Sequence, residues 1–249
     1  MSISFMSLRK KAYKKEIRML FFYIRHGDPI YSPDSLTPLG HRQAEAVAKR
    51  LALHGIDEIY SSTSNRARLT ATPTSEILKK DITELDFANE GHAWQELTVK
   101  TPEGNRWLFH RPEIKEIFHT PEIRALGFEW YKHPAFAEYN YKEGIERIQR
   151  ESDAFFESLG YKHEGGGRYK VVQKSNKRIA LFAHQGFGLA FLSCVLAIPY
   201  PQFSTHFDIS TTGVTVIDFA DEGGYAYPKV ITHSNDSHLF REGLPTARF

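Results

Sequence analysis

Apolar residues in this chain gather into short runs that stop at a glycine, a proline or a polar cluster. The sharpest is Met19-Leu20-Phe21-Phe22-Tyr23-Ile24, which ends in Arg25-His26-Gly27. Bounded by that glycine and Pro29, the run predicts a buried strand with its polar residues at the carboxyl end, the edge at which open α/β sheets bind ligands. Arg178-Ile179-Ala180-Leu181-Phe182-Ala183 repeats the pattern, running into His184-Gln185-Gly186 and a helix from about Phe187 to Leu196. One histidine so placed is more often a satisfied core residue. Two of them, each closing a buried strand near a glycine, point to chemistry.

The intervening pattern alternates strand and helix. Asp28–Ser35 reads as a Pro/Ser/Asp-rich loop, and Thr37-Pro38 as a helix start, with the hydroxyl capping free amides and proline losing nothing in the first turn. Ala44, Val47, Ala48 and Leu51 recur at spacings of three and four, giving a helix to about His54 with one face on a sheet. Ile56–Tyr60 is a short strand that runs into Ser61-Ser62-Thr63-Ser64 and opens a helix, an arrangement that collects hydroxyls and free amides into an anion site. Pro73 is expected to kink or restart that helix. Strand-like Ile82 onwards leads to three acids, Glu84, Asp86 and Glu90. Residues 91–141 are rich in aromatics and prolines, including Trp94, Trp107 and Trp130, and read either as a cap over the site or as a satellite packing cluster. Ile145, Ile148, Phe155, Phe156 and Leu159 mark a helix over Lys142–Leu159. Tyr161–Gln173, broken by Gly165-Gly166-Gly167, reads as a hairpin rather than a nucleotide loop. Gly213–Phe219 and Tyr225–Ile231 read as strands around an Asp221–Gly224 turn.

Length and composition narrow the class. At 249 residues, 41% hydrophobic and 25% charged, the chain suits one large α/β domain. The net charge of +2 hides an asymmetry, because residues 1–20 hold six Lys/Arg against one Glu and leave the remaining body at −3. Residues 1–18 are therefore read as a basic, solvated tail, with Met6 and Met19 as alternative starts, and nucleic acid is not expected as a partner. No stretch has the apolar core of a signal peptide or the ~18 apolar residues of a membrane span, so a soluble, cytoplasmic protein is expected. Cys194 is alone within Phe191–Leu196 and reads as a buried core thiol. There is no CxxC or HExxH pattern, and no metal or cofactor is expected.

Five strings together resemble one family. Arg25-His26-Gly27 after a strand, Leu36-Thr37-Pro38-Leu39-Gly40, Ser61-Ser62 followed by Arg66-Ala67 and Thr70-Ala71, Leu85-Asp86-Phe87-Ala88-Asn89-Glu90, and His184 resemble, in order, the markers of the histidine phosphatase superfamily, the phosphoglycerate mutase-like enzymes. The resemblance implies a three-layer α/β/α sandwich with a mostly parallel central sheet, formed by residues 19–249 with an inserted segment at about 91–141. It implies that His26 is phosphorylated, that Arg25, Arg66 and His184 hold the phosphate, and that Glu90 is the general acid, with Glu84 and Asp86 as rivals. Arg68 is read as a surface residue. The family's Thr after Arg-His-Gly-x is Pro29 here, and only Ser32 stands where an Asn is often found. Asn235-Asp236-Ser237-His238-Leu239 is similar to a carboxyl-terminal string of bacterial members and carries no assigned role. The implied function is metal-independent hydrolysis of a small phosphomonoester through a phosphohistidine. A mutase-type phosphotransferase and a non-catalytic phospho-ligand-binding module are the alternatives, and a homodimer is left open.

Overall fold

A computed structural model describes residues 17–245; the basic tail, apart from Ile17 and Arg18, lies outside the described residues. Six strands build the central sheet: β1 (Arg18–Arg25), β2 (Glu58–Ser62), β3 (Ile82–Leu85), β4 (Arg178–Ala183), β5 (Val214–Ala220) and β6 (Lys229–Asn235), in the order β6-β5-β1-β4-β2-β3. β1, β4, β2 and β3 pair in parallel, while β5 runs antiparallel to both of its neighbours. β1 and β4 are adjacent, with Arg25 opposite Ala183, so the two histidines that follow them emerge side by side.

The alternation of β1 sorts the core into two layers, because successive side chains point to opposite faces. Met19, Phe21 and Tyr23 face one hydrophobic cluster together with Phe156, Phe187 and Phe191 from the helices α4 (Tyr141–Ser158) and α5 (Gln185–Leu196). Phe22 and Ile24 face the other, against Val47 and Leu51 of α1 (Pro38–His54) and Ala71 of α2 (Asn65–Leu78). The result is a three-layer α/β/α sandwich with a mostly parallel sheet. Thr37 caps α1 by accepting from the Gly40 amide at 3.0 Å and donates to Asp28 Oδ2 at 2.8 Å. Gly40 is pressed on the Asp28 backbone, where an added Cβ would lie 2.2 Å from the Asp28 carbonyl oxygen; this close approach is the structural role of the Leu-Thr-Pro-Leu-Gly string.

Several local expectations are corrected. Pro29–Tyr31 and Asp34–Leu36 pair as a small hairpin where a loop was expected. α2 does not restart at Pro73 but continues to Leu78, since its buried face of Ala67, Thr70, Ala71 and Thr74 packs on the body and outweighs the loss of one N–H. The strand expected over Tyr225–Ile231 is split at Pro228, which has no N–H for a ladder. Tyr225–Ala226 joins the Tyr161–His163/Tyr169–Val171 hairpin, and β6 begins at Lys229. Cys194 is buried, and burial pushes its thiol up to about 12.

Most aromatics of residues 91–141 belong to the main core. Leu108, Phe109, Ile114, Phe118, Ile123, Trp130 and Phe136 join the cluster that contains Phe21 and Phe191. Trp130 is fully buried, its ring 5.5 Å from Tyr200, 5.4 Å from Phe136 and 5.5 Å from Phe118. Trp130→Ala should therefore cost about 3–5 kcal/mol of stability, measured by denaturant unfolding, while Trp94→Ala, at a ring 37% exposed, should cost far less. Equal losses would contradict this division of the segment.

Candidate active site

The carboxyl ends of β1 and β4 deliver the two imidazoles, whose ring centroids lie 5.2 Å apart. His26 is 1% exposed, and its Nδ1 lies 2.7 Å from the Gly27 carbonyl oxygen. A carbonyl accepts only, so Nδ1 carries the proton and Nε2 keeps its lone pair. Burial, then the nearby Arg25 and Arg66 guanidiniums, hold the His26 pKa well below its ordinary value, so the ring is neutral. The Gly27 amide donates to Thr70 Oγ1 at 3.0 Å and the His26 amide to the Ala183 carbonyl at 2.9 Å, which fixes the turn that carries the ring.

His184 is fully buried and stands at the N-cap position of α5, without a capping bond from its side chain. Its Nε2 lies 2.8 Å from Ser62 Oγ and 3.1 Å from Ser64 Oγ; with these hydroxyls donating, Nδ1–H is left to face Glu90 Oε2 at 3.5 Å. Burial, followed by His26, Arg66 and Arg25, holds its pKa well below normal. In the free site His184 is thus a neutral Nδ1–H donor. The Tyr23 hydroxyl donates to the His184 carbonyl at 2.6 Å and anchors the peptide.

The two arginines are held differently. Arg25 donates through Nη1 to the Ile209 carbonyl at 2.6 Å, and burial lowers its pKa. Arg66, in the first turn of α2, donates through Nη1 to Asp34 Oδ1 at 2.8 Å and through Nη2 to Glu90 Oε2 at 3.2 Å. The Nε atoms of both arginines and Nδ1 of His184 are buried without a hydrogen-bond partner. Buried donors without partners are groups that an oxyanion can satisfy.

Glu90 is brought into the site, and its rivals are not. It is the first residue of α3 (Glu90–Glu96), capped by the Asn89 side chain, and its Oε1 accepts from the Gly186 amide at the start of α5 at 2.8 Å. Its side chain is 12% exposed. Glu84 points away to Arg68 at 3.1 Å with both side chains 44% exposed, and Asp86 is 76% exposed beside His92. A Cβ on Gly186 would lie 2.4 Å from the Trp107 ring, so that glycine lets the hairpin Thr98–Thr101/Gly104–Trp107 pack directly over the amide that holds Glu90.

Sequence reasoning missed Asp34, Tyr23 and the use made of the serines. The amide expected to be free at the start of α2 is occupied by Asp34, which accepts from Asn65 N at 2.7 Å, and the serine hydroxyls serve His184 rather than an anion. Pro29 lines the cavity beside Arg25 where the family has Thr. One donor atom each from His26, Glu90 and His184 lie within 4.8 Å of one another, a geometry open to a divalent ion. The guanidiniums of Arg25 and Arg66 oppose a cation there and favour an anion.

Comparison with known proteins finds a matching family model and solved structures of the same fold. Residues 22–228 match the model of the histidine phosphatase superfamily, branch 1. No curated protein matches in sequence. Among solved structures, a phosphoserine phosphatase mutant from Entamoeba histolytica in complex with phosphoserine superimposes with a TM-score of 0.58 at 19% identity, covering 89% of this chain and 99% of that one. A mycobacterial glucosyl-3-phosphoglycerate phosphatase gives 0.56 at 17% identity over 87% and 98%. A protein described as mycobacterial hydrolase 1 gives 0.56 at 16% over 88% and 99%.

Both imidazoles have folded-state pKa values below the unfolded value of about 6.5, so between the two values the unfolded chain holds the extra protons. Their contribution to stability is full above about pH 6.5 and falls as pH drops below it. Activity that needs neutral His26 should hold through pH 6.5, its acid limb lying below that value. A pH profile of kcat/KM with thermal melts in the same buffers checks both; an acid limb centred at or above 6.5 would contradict the neutral-ring assignment.

Proposed function

Given that the chain belongs to the histidine phosphatase superfamily, branch 1, we propose that it hydrolyses a small phosphomonoester through a phosphohistidine on His26. The observation that carries this reading is the His26 ring, whose Nδ1–H is tied to the Gly27 carbonyl at 2.7 Å so that an unprotonated Nε2 is left in the field of two part-buried guanidiniums. Nε2 attacks phosphorus, and the P–O bond to the alcohol breaks as the N–P bond forms. Arg25, Arg66 and the His184 Nδ1–H bind the phosphoryl oxygens, where donors set in place before reaction stabilise the developing charge. Binding of a phosphate dianion favours a second proton on His184, which supplies a cation at the stage when charge is greatest. Glu90, held by the Gly186 amide and Arg66, passes a proton to the leaving oxygen and then takes one from the water that cleaves the N–P bond. These side chains supply both charge neutralisation and proton transfer, so the reaction is written with no metal step.

His26→Ala should abolish both turnover of an aryl phosphate and acid-labile, base-stable labelling of the protein; a phosphoryl group mapped to His184 by mass spectrometry would reverse the two roles. Glu90→Gln should slow turnover by ~10²–10⁴ on esters of basic alcohols and much less on an activated aryl ester. Glu84→Gln and Asp86→Asn serve as controls that should retain activity. Exhaustive chelation should leave the rate unchanged, and strict dependence on Mg²⁺ or Zn²⁺ would overturn the mechanism.

A further inference from the structure

The acid that protonates the leaving oxygen fixes where the rest of the ester must sit. Glu90 and Arg66 open onto a cavity of about 860 Å³ lined also by Tyr31, Asp34, Asn65, Arg68, Asn89, Trp94 and Trp107. In an in-line displacement the alcohol departs opposite His26, on the side from which Glu90 reaches it, so this cavity receives the leaving group.

Its walls select by charge. The cations are Arg66, engaged by Asp34 and Glu90, and Arg68, held by Glu84 at 3.1 Å and by Asn65 Oδ1 at 3.3 Å. A second cavity, of about 990 Å³ on the Arg25 side, adds Asp28, Asp208 and Asp236 and, among the described residues, no further cation. Across the two linings five carboxylates face three guanidiniums, and two of those three grip the phosphate. A carboxylate on the leaving group would find no uncommitted cation. The amides of the lining are engaged within the wall: Asn65 Nδ2 donates to the Asp34 carbonyl and its Oδ1 accepts from Arg68, while Asn89 Nδ2 donates to Thr63 and its Oδ1 accepts from the Gly91 amide. A cationic leaving group would find no uncommitted carboxylate in the Glu90 cavity either, since Asp34 and Glu90 both pair with Arg66. What fits is an uncharged group whose hydroxyls can use the second lone pairs and N–H that these polar groups retain.

The remaining wall is aromatic. Trp94 and Trp107 meet edge to face, with centroids 5.0 Å apart and planes at 83°, and Trp94 is 37% exposed although no core packing requires its exposure. Indole rings in the lining of a polar cavity suit the flat, apolar side of a hydroxylated ring. Resting on the phosphatase reading above, we propose that the leaving alcohol is an uncharged, hydroxyl-bearing ring, a sugar or a nucleoside, held against Trp94 and Trp107, and that esters carrying a carboxylate or an ammonium on the alcohol are poor substrates.

The test is kcat/KM for the full chain on ribose 5-phosphate, glucose 6-phosphate, a nucleoside 5′-monophosphate, glycerol 1-phosphate, 3-phosphoglycerate, phosphocholine and p-nitrophenyl phosphate. A ring-bearing neutral ester should exceed 3-phosphoglycerate and phosphocholine by about tenfold or more, and the sugar and nucleotide arms distinguish the two sources of that ring. Trp94→Ala should lower the ring esters by roughly three- to tenfold, spare glycerol 1-phosphate and leave inhibition by inorganic phosphate unchanged, while Trp94→Phe should restore part of the loss. Preference for 3-phosphoglycerate or phosphocholine would overturn the proposal while leaving the hydrolase reading intact, as would a Trp94→Ala loss equal on every ester. Failure on every ester, p-nitrophenyl phosphate included, would overturn the hydrolase reading itself and this proposal with it.

Discussion

Two part-buried guanidiniums and two buried imidazoles are crowded at one edge of a sheet, and the surrounding structure is largely an answer to that cost. A buried charge without partners is expensive, and its mutual repulsion with other cations adds to the penalty. The chain limits the number of charges first. Both imidazoles stay neutral because burial and the arginines disfavour their protonated forms. It then gives each arginine an internal acceptor, the Ile209 carbonyl for Arg25 and the Asp34 and Glu90 carboxylates for Arg66. Neutral rings also serve the chemistry, since an imidazole that has lost its lone pair to a proton cannot attack phosphorus.

Glu90 is where the two halves of the site meet. Its carboxylate touches Arg66 from α2, the amide of Gly186 from α5 and the vicinity of His184 Nδ1, so one side chain links the helices that follow β2 and β4. The amide at a helix start favours negative charge there. Trp107 lies against the same glycine, which couples the wall of the cavity to the hold on the acid. The segment 91–141 is thus neither wholly a cap nor wholly a packing cluster. Its hairpin reaches the site, while its later aromatics extend the core around Trp130.

What could be read in the sequence follows from how local each signal is. The strand ending in Arg25-His26 and the one ending in His184 are legible because an apolar run and its terminating polar residues are contiguous, and the Thr37 cap because its partner lies three residues away. Asp34 was not legible. It stands in a short hairpin of ordinary loop composition, and its partners, Asn65 and Arg66, lie over thirty residues further on. Tyr23 looked like any core aromatic until its hydroxyl met the His184 peptide, 161 residues away. The three tryptophans share one composition-rich segment, and only the tertiary packing separates the buried Trp130 from the cavity-lining Trp94 and Trp107.

The carboxyl-terminal string that the sequence left without a role acquires one from the same constraint. The backbone carbonyls of Arg25 and His26 both accept from the Thr212 amide, at 3.1 and 3.3 Å, and Thr212 holds a left-handed conformation that a side chain rarely adopts. Its hydroxyl lies 3.0 Å from Nε2 of the buried His238, whose Nδ1 lies 3.4 Å from Nη1 of Arg50. The same Arg50 nitrogen donates to the carbonyl and side chain of Asn235, at 2.8 and 2.7 Å. Burial, aided by Arg50, lowers His238 to about 4 and keeps it neutral, so it can donate to Thr212 while accepting from Arg50. A nucleophile whose ring must stay fixed against its own Gly27 carbonyl needs a backbone that does not move. Here α1, through Arg50, the end of β6, through Asn235, and the short helix after it, through His238, brace that backbone from behind.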